Sequence, residues 1–331
     1  MIYDLAIVGG GAAALSAGVY AGRSLLNTII IEKDSFGGQT STTSLIVNYP
    51  GIKEASGPAL IKEMREQALD FGCVFQTGTI IKTDFSRDVK VLTDSTGNQI
   101  KAYAVLIATG TTQRTLGFPG EKEYTGNGIT YCATCDGASC AEMEIFIIGG
   151  GYAAAEESVY LSQFAKKVNV MIRDEDFSCA KATANLAKDH DKVTVYYHTE
   201  IKEVVGSEGM NKLVFVNRQT GEELIFDKSH KKNPYGMFIF AGSYPNTSFV
   251  SDHIDCNSRG YIITNDNMET NIPGVYAAGD LREKELRQVV TAVADGAIAA
   301  TRAGSYISNI KKTTEIKTII EIKNKETNHK K

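Results

Sequence analysis

One pattern, written twice, constrains the fold of this chain more than any other feature. The apolar run Ile2 to Val8 has the look of a strand buried on both faces of a parallel sheet. It feeds directly into Gly9-Gly10-Gly11-Ala12-Ala13-Ala14 and a small-residue helix predicted to run through Tyr20. In this G-x-G-x-x-A spacing Gly9 permits a tight turn and Gly11 lets backbone approach a pyrophosphate. Ala14 lets helix and strand pack closely, and the helix N-terminus turns N–H groups toward phosphate. A second apolar run, Thr28 to Ile31, ends at Glu32, about 20 residues on, where an acid can take a ribose hydroxyl. The copy begins at Ile145 to Ile148 and continues through Gly149-Gly150-Gly151-Tyr152-Ala153-Ala154, a helix through Gln163 and a strand from Val168 to Ile172. A lone glycine motif is weak evidence, whereas the ordered context found twice predicts an α/β chain with two Rossmann-like dinucleotide-binding domains. Two such domains imply two nucleotide-type sites, or one site and one relic.

The order of the remaining segments predicts that the second domain is inserted into the first. Val105 to Gly110 reads as a strand ending in a small-residue turn, and Thr111 to Gly120 as a polar, glycine-rich linker. Gly236 to Gly242 reads as another strand, and Ser243 to Thr247 as a second linker. Ile272 to Asp280 then precedes a small-residue helix expected over about Gln288 to Ala303. The expected division is residues 1–115 and 244–309 as the two halves of one domain, 116–243 as the insertion, and 310–331 as a basic tail. Two linkers at the ends of one insertion make a hinge. A length of 331 residues, 43% hydrophobic, with 31 glycines, suits two α/β domains rich in tight turns. No apolar run reaches membrane-spanning length, and a net charge of −4 gives no reason to propose nucleic acid. The chain opens on a strand with no signal peptide before it, so the cytoplasm is the expected compartment.

Chemistry enters with Cys132-Ala133-Thr134-Cys135-Asp136. Two thiols two residues apart can close a disulfide, and the carboxylate that follows can handle protons. A C-x-x-C pair can also hold half a zinc site, but the usual partner, a second pair or two regularly spaced histidines, is absent from the sequence. In a reducing compartment a close pair is catalytic more often than a staple. Asp136 also has a bland reading, as a helix N-cap. Cys73, Cys179 and Cys256 read as small buried hydrophobes, and Cys140 lacks a neighbouring base or positive charge that would activate it.

Taken together, Gly9 to Ala14, Gly37-Gly38-Gln39, Asn48-Tyr49-Pro50-Gly51, Ala108-Thr109-Gly110, Cys132 to Asp136, Gly149 to Ala154, Gly274 to Asp280 and Arg287-Gln288 resemble the low-molecular-weight thioredoxin reductases, over about residues 1 to 307. The place of the cysteine pair, just before the second fingerprint, is specific to that group of flavoprotein disulfide reductases. The resemblance implies FAD in the first domain. Glu32 would meet the adenosine ribose, Gly37 to Gln39 and Asn48 would lie beside the flavin, and Asp280, Arg287 and Gln288 near its ribityl and isoalloxazine end. Asn48 as an ordinary turn residue and Arg287 as a surface charge are the plainer readings. The resemblance further implies that Cys135 faces the flavin, that Cys132 attacks the disulfide of thioredoxin or a thioredoxin-like protein, and that the molecule is a homodimer. A reading of another class is a flavin-bearing redox sensor whose disulfide state alters partner affinity without turnover.

The chain departs from the group's pattern at one place. Relatives that use NADPH carry His-Arg-Arg and a further Arg after the second strand of the inserted domain, where guanidinium groups grip the 2′-phosphate. Here the stretch is Ile172-Arg173-Asp174-Glu175-Asp176-Phe177-Ser178, in which Arg173 survives and acids and a serine replace the other charges. A 2′-phosphate would meet like charge. The second site, Gly149, Gly151, Ala154 and Arg173, thus reads either as degenerate or as suited to an unphosphorylated ribose, with Tyr152 filling nucleotide space or standing as an exposed loop residue. A ferredoxin-type protein donor is expected ahead of NADH. The tail, with seven lysines against three glutamates, is expected to be a solvated extension, a covering helix or strand being the alternative.

Overall fold

The computed structural model describes residues 1–43, 46, 48–206, 209–230 and 234–328. Two compact units result. The first comprises residues 1–44, 49–112 and 244–331, and the second 45–48 and 113–243.

In the first unit β1 (Tyr3–Val8), α1 (Ala12–Arg23), β2 (Thr28–Glu32), α2 (Gly57–Asp70) and β3 (Val74–Thr77) form a parallel βαβαβ run. A hairpin, β4 (Ile80–Asp84) and β5 (Lys90–Asp94), leads to β6 (Gln99–Ile107). The sheet order is β3-β2-β1-β6-β5-β4. Besides pairing with β1, the nine residues of β6 serve two further partners. The first half pairs antiparallel with β5, and Val105 to Ile107 pair parallel with a late strand described below. β1 is apolar throughout because both its faces are covered. Leu5 and Ile7 join a cluster with Ala13, Ala14 and Ala17, while Ala6 and Val8 join the opposite cluster with Leu92 and Ile262. Burying each of the larger side chains contributes about 1.5 to 3 kcal/mol. Gly9 follows at φ +114°, and a Cβ there would lie 2.2 Å from the Ala108 carbonyl oxygen, so the turn after β1 admits only glycine.

The chain leaves the first unit through β7 (Thr111–Gln113). The second unit opens with a single helical turn, α3 (Glu121–Tyr124), then β8 (Ile129–Thr130), a second turn α4 (Ala133–Asp136), β9 (Glu144–Ile148), α5 (Tyr152–Ser162), β10 (Lys167–Met171), α6 (Lys181–Lys188) and β11 (Val193–Tyr196). An antiparallel sheet of β12 (Thr199–Val205), β13 (Lys212–Asn217) and β14 (Glu223–Asp227) follows, and β15 (Tyr235–Ile239) completes a parallel sheet of order β11-β10-β9-β15-β8. The same logic of two buried faces holds in β9. Ile145 and Ile147 pack toward α5 and α6, and Phe146 packs on the three-stranded sheet with its ring 5.5 Å from that of Phe215. Among the described residues no helix is long and apolar enough to cross a membrane.

The return passes through β16 (Ser243–Pro245) to β17 (Val275–Ala277), the second partner of β6, and then α7 (Val289–Asn328). The segments expected as irregular linkers contain paired strands, since β7 and β16 form a two-stranded ribbon. The last helix differs more. It was expected to stop near Ala303 and instead continues through residues 310–328, so the stretch read as a solvated tail is helical. No glycine or proline follows Gly304 to break it. Lys311 ties it back to the sheet through an ion pair of 2.6 Å with Asp4.

Candidate active site

In the first unit, the residues expected to hold a dinucleotide gather at the C-terminal end of β1 and β2. α1 begins at Gly11 with no side chain capping its first turn, which leaves that helix end presented to an anion. A Cβ at Gly11 would find only the Gly37 carbonyl oxygen, 3.9 Å away, so the space above it is open. Glu32 closes one side, its carboxylate accepting the N–H groups of Gly10 and Lys33, both at 2.7 Å. Gly37 and Gly38 turn beside it, with the Gly37 N–H donating to the Gly10 carbonyl at 2.8 Å. Gln39 donates its amide to the carbonyl oxygen and the hydroxyl of Thr111. Ala14 is fully buried against the strand.

Asp280 follows β17. Burial holds its carboxyl above the usual range, against the pull of Lys284 and Arg287, and its Oδ1 is buried without a hydrogen-bond partner among the described residues. Arg287 is not the free surface charge of its plainer reading. Its Nε donates to the Asp280 carbonyl at 3.1 Å and its guanidinium lies 4.3 Å from the Tyr261 ring centre. Gln288 starts α7, its carbonyl accepting the Ala292 N–H and the Thr291 hydroxyl. Asn48 is exposed, in the short segment grouped with the second unit.

The second unit carries the thiols. β8 runs parallel to β15, and its last residue, Thr130, precedes a tight turn in which Cys132 and Cys135 are bonded as a disulfide. Asp136 ends this turn. Its carboxylate accepts the Thr130 hydroxyl, and that hydroxyl in turn accepts the Cys132 N–H at 3.3 Å. Asp136 leads a short 3-10 turn, Gly137–Cys140, but its side chain caps nothing there, contrary to the N-cap reading. Burial raises its pKa, opposed by the Thr130 hydroxyl. Such a carboxyl can give and take a proton nearer neutrality than a solvated one. Cys140, packed against Gly236, has its thiol pushed up to about 11 by burial, which keeps it protonated and inert. Cys73 is buried too, whereas Cys179 and Cys256, expected as buried, are half-exposed.

The second fingerprint repeats the first in shape. Gly149 turns after β9, Gly151 caps α5 and Ala154 is fully buried, but Tyr152, at the first helical position, stands half-exposed. Beyond β10 the charges pair among themselves. Arg173 lies 3.6 Å from Asp174, both well exposed, and Asp176 binds Lys188 at 2.6 Å and the Phe177 N–H at 2.7 Å. Ser178 closes the loop on Gly150, its N–H donating to that carbonyl at 2.7 Å. A Ser162, His190 and Asp191 cluster nearby mimics a hydrolytic triad with 3.0 and 3.1 Å spacings. Its hydrogen bonds run the wrong way. His190 Nδ1 accepts the Lys192 N–H and Ser162 donates to the Val159 carbonyl, so the hydroxyl is not activated. Among the described residues no group of acids, histidines and cysteines could hold a metal.

The family model for pyridine nucleotide-disulphide oxidoreductases matches residues 3–296. The chain belongs to that family. It is 43% identical over 310 residues to a thioredoxin reductase of Peptoclostridium litorale, covering 93% of this chain and 98% of the relative. To a thioredoxin reductase of Bacillus subtilis it is 39% identical over 313 residues, covering 94% and 97%. The crystal structure of a thioredoxin reductase from Streptococcus pyogenes superposes with a TM-score of 0.88 at 39% identity, covering 93% of this chain and 99% of that one. Within the family the chain is of the low-molecular-weight thioredoxin reductase type, with two dinucleotide-binding domains.

Proteins of this type are FAD flavoproteins, and the first unit fits that group. Besides Asp280 Oδ1, the Ser41 hydroxyl is buried beside Gly37 with no hydrogen-bond partner among the described residues. Each such orphan costs about 1 to 3 kcal/mol, a cost that polar groups of a bound flavin nucleotide would remove. Sequence reasoning missed Ser41, and it missed Asp295 on α7. That carboxylate, itself buried, accepts the Gly279 N–H at 3.0 Å and binds Arg282 and Lys284, each at 2.9 Å, fixing the turn that presents Asp280. Its only signal in sequence is a lone acid among the small and apolar residues from Val289 to Ala300.

Proposed function

We propose that this chain is an FAD-dependent reductase of thioredoxin-type protein disulfides, acting as a cytoplasmic homodimer. A ferredoxin-type protein, rather than NADPH, is its electron donor. The observation that carries the first part is the closed Cys132–Cys135 disulfide with a burial-raised Asp136 beside it, in a family of disulfide oxidoreductases. In this reading Gly9, Gly11 and Ala14 receive the pyrophosphate. Glu32 takes the adenosine ribose, Gly37 to Gln39 and Ser41 flank the flavin, and Asp280, Arg287 and Gln288 meet its ribityl and ring end. Asn48 joins them beside the flavin.

Bound FAD, once reduced by the donor, would supply the two electrons that, with two protons, open the disulfide to two thiols. Cys135 takes the flavin-facing position and Cys132 the outward one. The Cys132 thiolate attacks one sulfur of the acceptor disulfide, and a Cys132–acceptor bond forms as the acceptor's own S–S bond breaks. The departing acceptor sulfur takes a proton. Cys135 then attacks the Cys132 sulfur, which restores the internal disulfide and releases the second acceptor thiol. Asp136 passes protons between the pair and solvent, and Thr130 orients it.

The donor reading rests on the second fingerprint. A 2′-phosphate there would meet Arg173 already paired with Asp174, exposed Glu175, and Ser178 in place of a guanidinium. Charged hydrogen bonds to phosphate contribute about 1.5 to 3 kcal/mol each. Losing two lowers affinity by a factor on the order of 10² to 10⁴. NADH is the runner-up, because the glycine turn and the open space above Gly151 persist. The test is anaerobic stopped-flow reduction of the flavin by NADPH, NADH and reduced ferredoxin in parallel, followed by thioredoxin turnover. Ferredoxin is expected to bleach the flavin fast and support turnover. Fast bleaching by micromolar NADPH would sink the donor reading, and flavin reduction without thioredoxin turnover would favour a redox sensor.

A further inference from the structure

Glu121 is a buried carboxylate, only 4% exposed, that the exchange chemistry leaves unused. It opens α3, and both its oxygens are occupied. The Leu116 N–H reaches them at 2.9 and 3.0 Å, the Gly117 N–H reaches Oε2 at 2.5 Å, and the Tyr131 hydroxyl donates to Oε1 at 2.9 Å. The first two donors lie on the segment by which the chain enters the second unit. The third belongs to the residue immediately before Cys132. Burial, reinforced by the carboxylate, pushes the Tyr131 phenol up to about 12, so it stays a donor at any working pH.

The rest of this stretch is held from other sides. β8 is bonded to β15, and the Thr130 hydroxyl spans Asp136 and the Cys132 N–H. Between those anchors and the disulfide, Tyr131 is held by its side chain, and Glu121 is the charged group that holds it.

We propose that Glu121 is a positioning residue for the redox pair, acting through the Tyr131 hydroxyl to fix the backbone at Cys132 and so raise the effective concentration of one thiol against the other. Disulfide closure needs both sulfurs in register, and each torsion fixed beforehand removes entropy the closing step would otherwise lose. Without the tie, the dithiol gains freedom that the disulfide does not, and the pair becomes easier to reduce. The proposal takes from the functional reading above only that Cys132 and Cys135 exchange between disulfide and dithiol.

The test equilibrates the FAD-loaded protein anaerobically with mixtures of reduced and oxidised dithiothreitol, then traps free thiols with a maleimide. In this exchange the dithiol reagent closes to its cyclic disulfide while the Cys132–Cys135 bond opens to two thiols, two electrons and two protons passing across. In Tyr131→Phe the ratio of dithiol to disulfide is expected to rise about three- to tenfold at fixed buffer, the reach of one net hydrogen bond, tenfold being about 30 mV. Glu121→Gln, which keeps an acceptor oxygen but loses charge, should shift it less in the same direction. The double variant should match Tyr131→Phe alone, since both act through one bond. A merely structural Glu121 would give a lower Tm in Glu121→Gln with no change in the thiol equilibrium of either variant. A ratio for Tyr131→Phe within about twofold of wild type, or strict additivity in the double variant, overturns the proposal. Neither donor nor thioredoxin enters the measurement, so a wrong donor leaves it intact. Wild-type protein whose pair never opens in dithiothreitol would instead indict the functional reading.

Discussion

If Asp280 meets the flavin as proposed, it couples flavin binding to protons. Its carboxyl is held above the ordinary range by burial, and a flavin hydroxyl donating to Oδ1 would favour the ionised form. The sign follows. Protein without FAD keeps the proton to higher pH than the complex does, so FAD binding releases a proton in that window and affinity rises with pH until Asp280 is ionised in both states. Titrating FAD into the flavin-free protein between about pH 5 and 8, read by flavin fluorescence, should show this rise in wild type and a flat response in Asp280→Asn. A flat wild-type response would mean that Oδ1 does not meet the flavin. Asp136 makes the companion case in the other unit. Asp136→Asn should retain full flavin content but lose about 10²-fold in kcat with thioredoxin. Wild-type kcat should carry an ionisation above the range of a solvated carboxylate, and the variant should lose it. Unchanged kcat would remove Asp136 from the proton path.

The elements that carry these residues were legible in the sequence to different degrees, for reasons that differ in kind. The strands, glycine turns and helices at Gly9 and Gly149 were legible because their constraint is local. A glycine forced by φ and by a carbonyl 2.2 Å away leaves its mark within a few residues. Ser41, Glu121 and Asp295 were not, because a buried acid or hydroxyl reads the same in sequence as a solvated one. Only the packing around it reveals what it holds. The charge loop after β10 gave half an answer. The residue types carry the proposal of a poor phosphate site, but they do not tell that Asp176 is taken up by Lys188 and Ser178 by Gly150. The helical run of α7 past Ala303 stands in the sequence only as the alternative to a solvated extension, because the lysine density favours solvent although no helix breaker follows Gly304. The crossing of α1 and α7 offers a direct test at this scale. A Cβ at Gly296 would lie 2.1 Å from the Ala13 carbonyl oxygen, so Gly296→Ala must push the helices apart. The expected loss is about 1 to 3 kcal/mol of stability, seen as a lower Tm. It should come with weaker FAD retention, because Asp295, one residue earlier, holds the turn before Asp280. A variant of wild-type Tm and flavin content would show that the crossing yields without strain.

At the scale of the whole molecule, the chain passes from one unit to the other at two main places, 112/113 and 243/244, where β7 and β16 pair as a ribbon. Few residues would have to change their torsions for the second unit to turn on such a pivot, and the chemistry calls for a turn. In the proposed cycle one disulfide, Cys132–Cys135, accepts electrons from a flavin held by the first unit and then offers Cys132 to a disulfide on another protein. A sulfur pair shielded against a flavin cannot at the same time be open to a partner of protein size, so the two half-reactions require two arrangements. The expectation is therefore that a covalent tether between one engineered surface cysteine in each unit will separate the half-reactions. Flavin content should be unchanged, and whichever half-reaction the tethered arrangement favours should proceed. Steady-state reduction of thioredoxin should fall at least about tenfold and recover when the tether is cleaved, since a motion that gates turnover sets kcat. Turnover equal to wild type with the tether intact, verified by mass on the reacting sample, would mean that a single arrangement serves both steps, and that Cys132 reaches its partner without the ribbon moving.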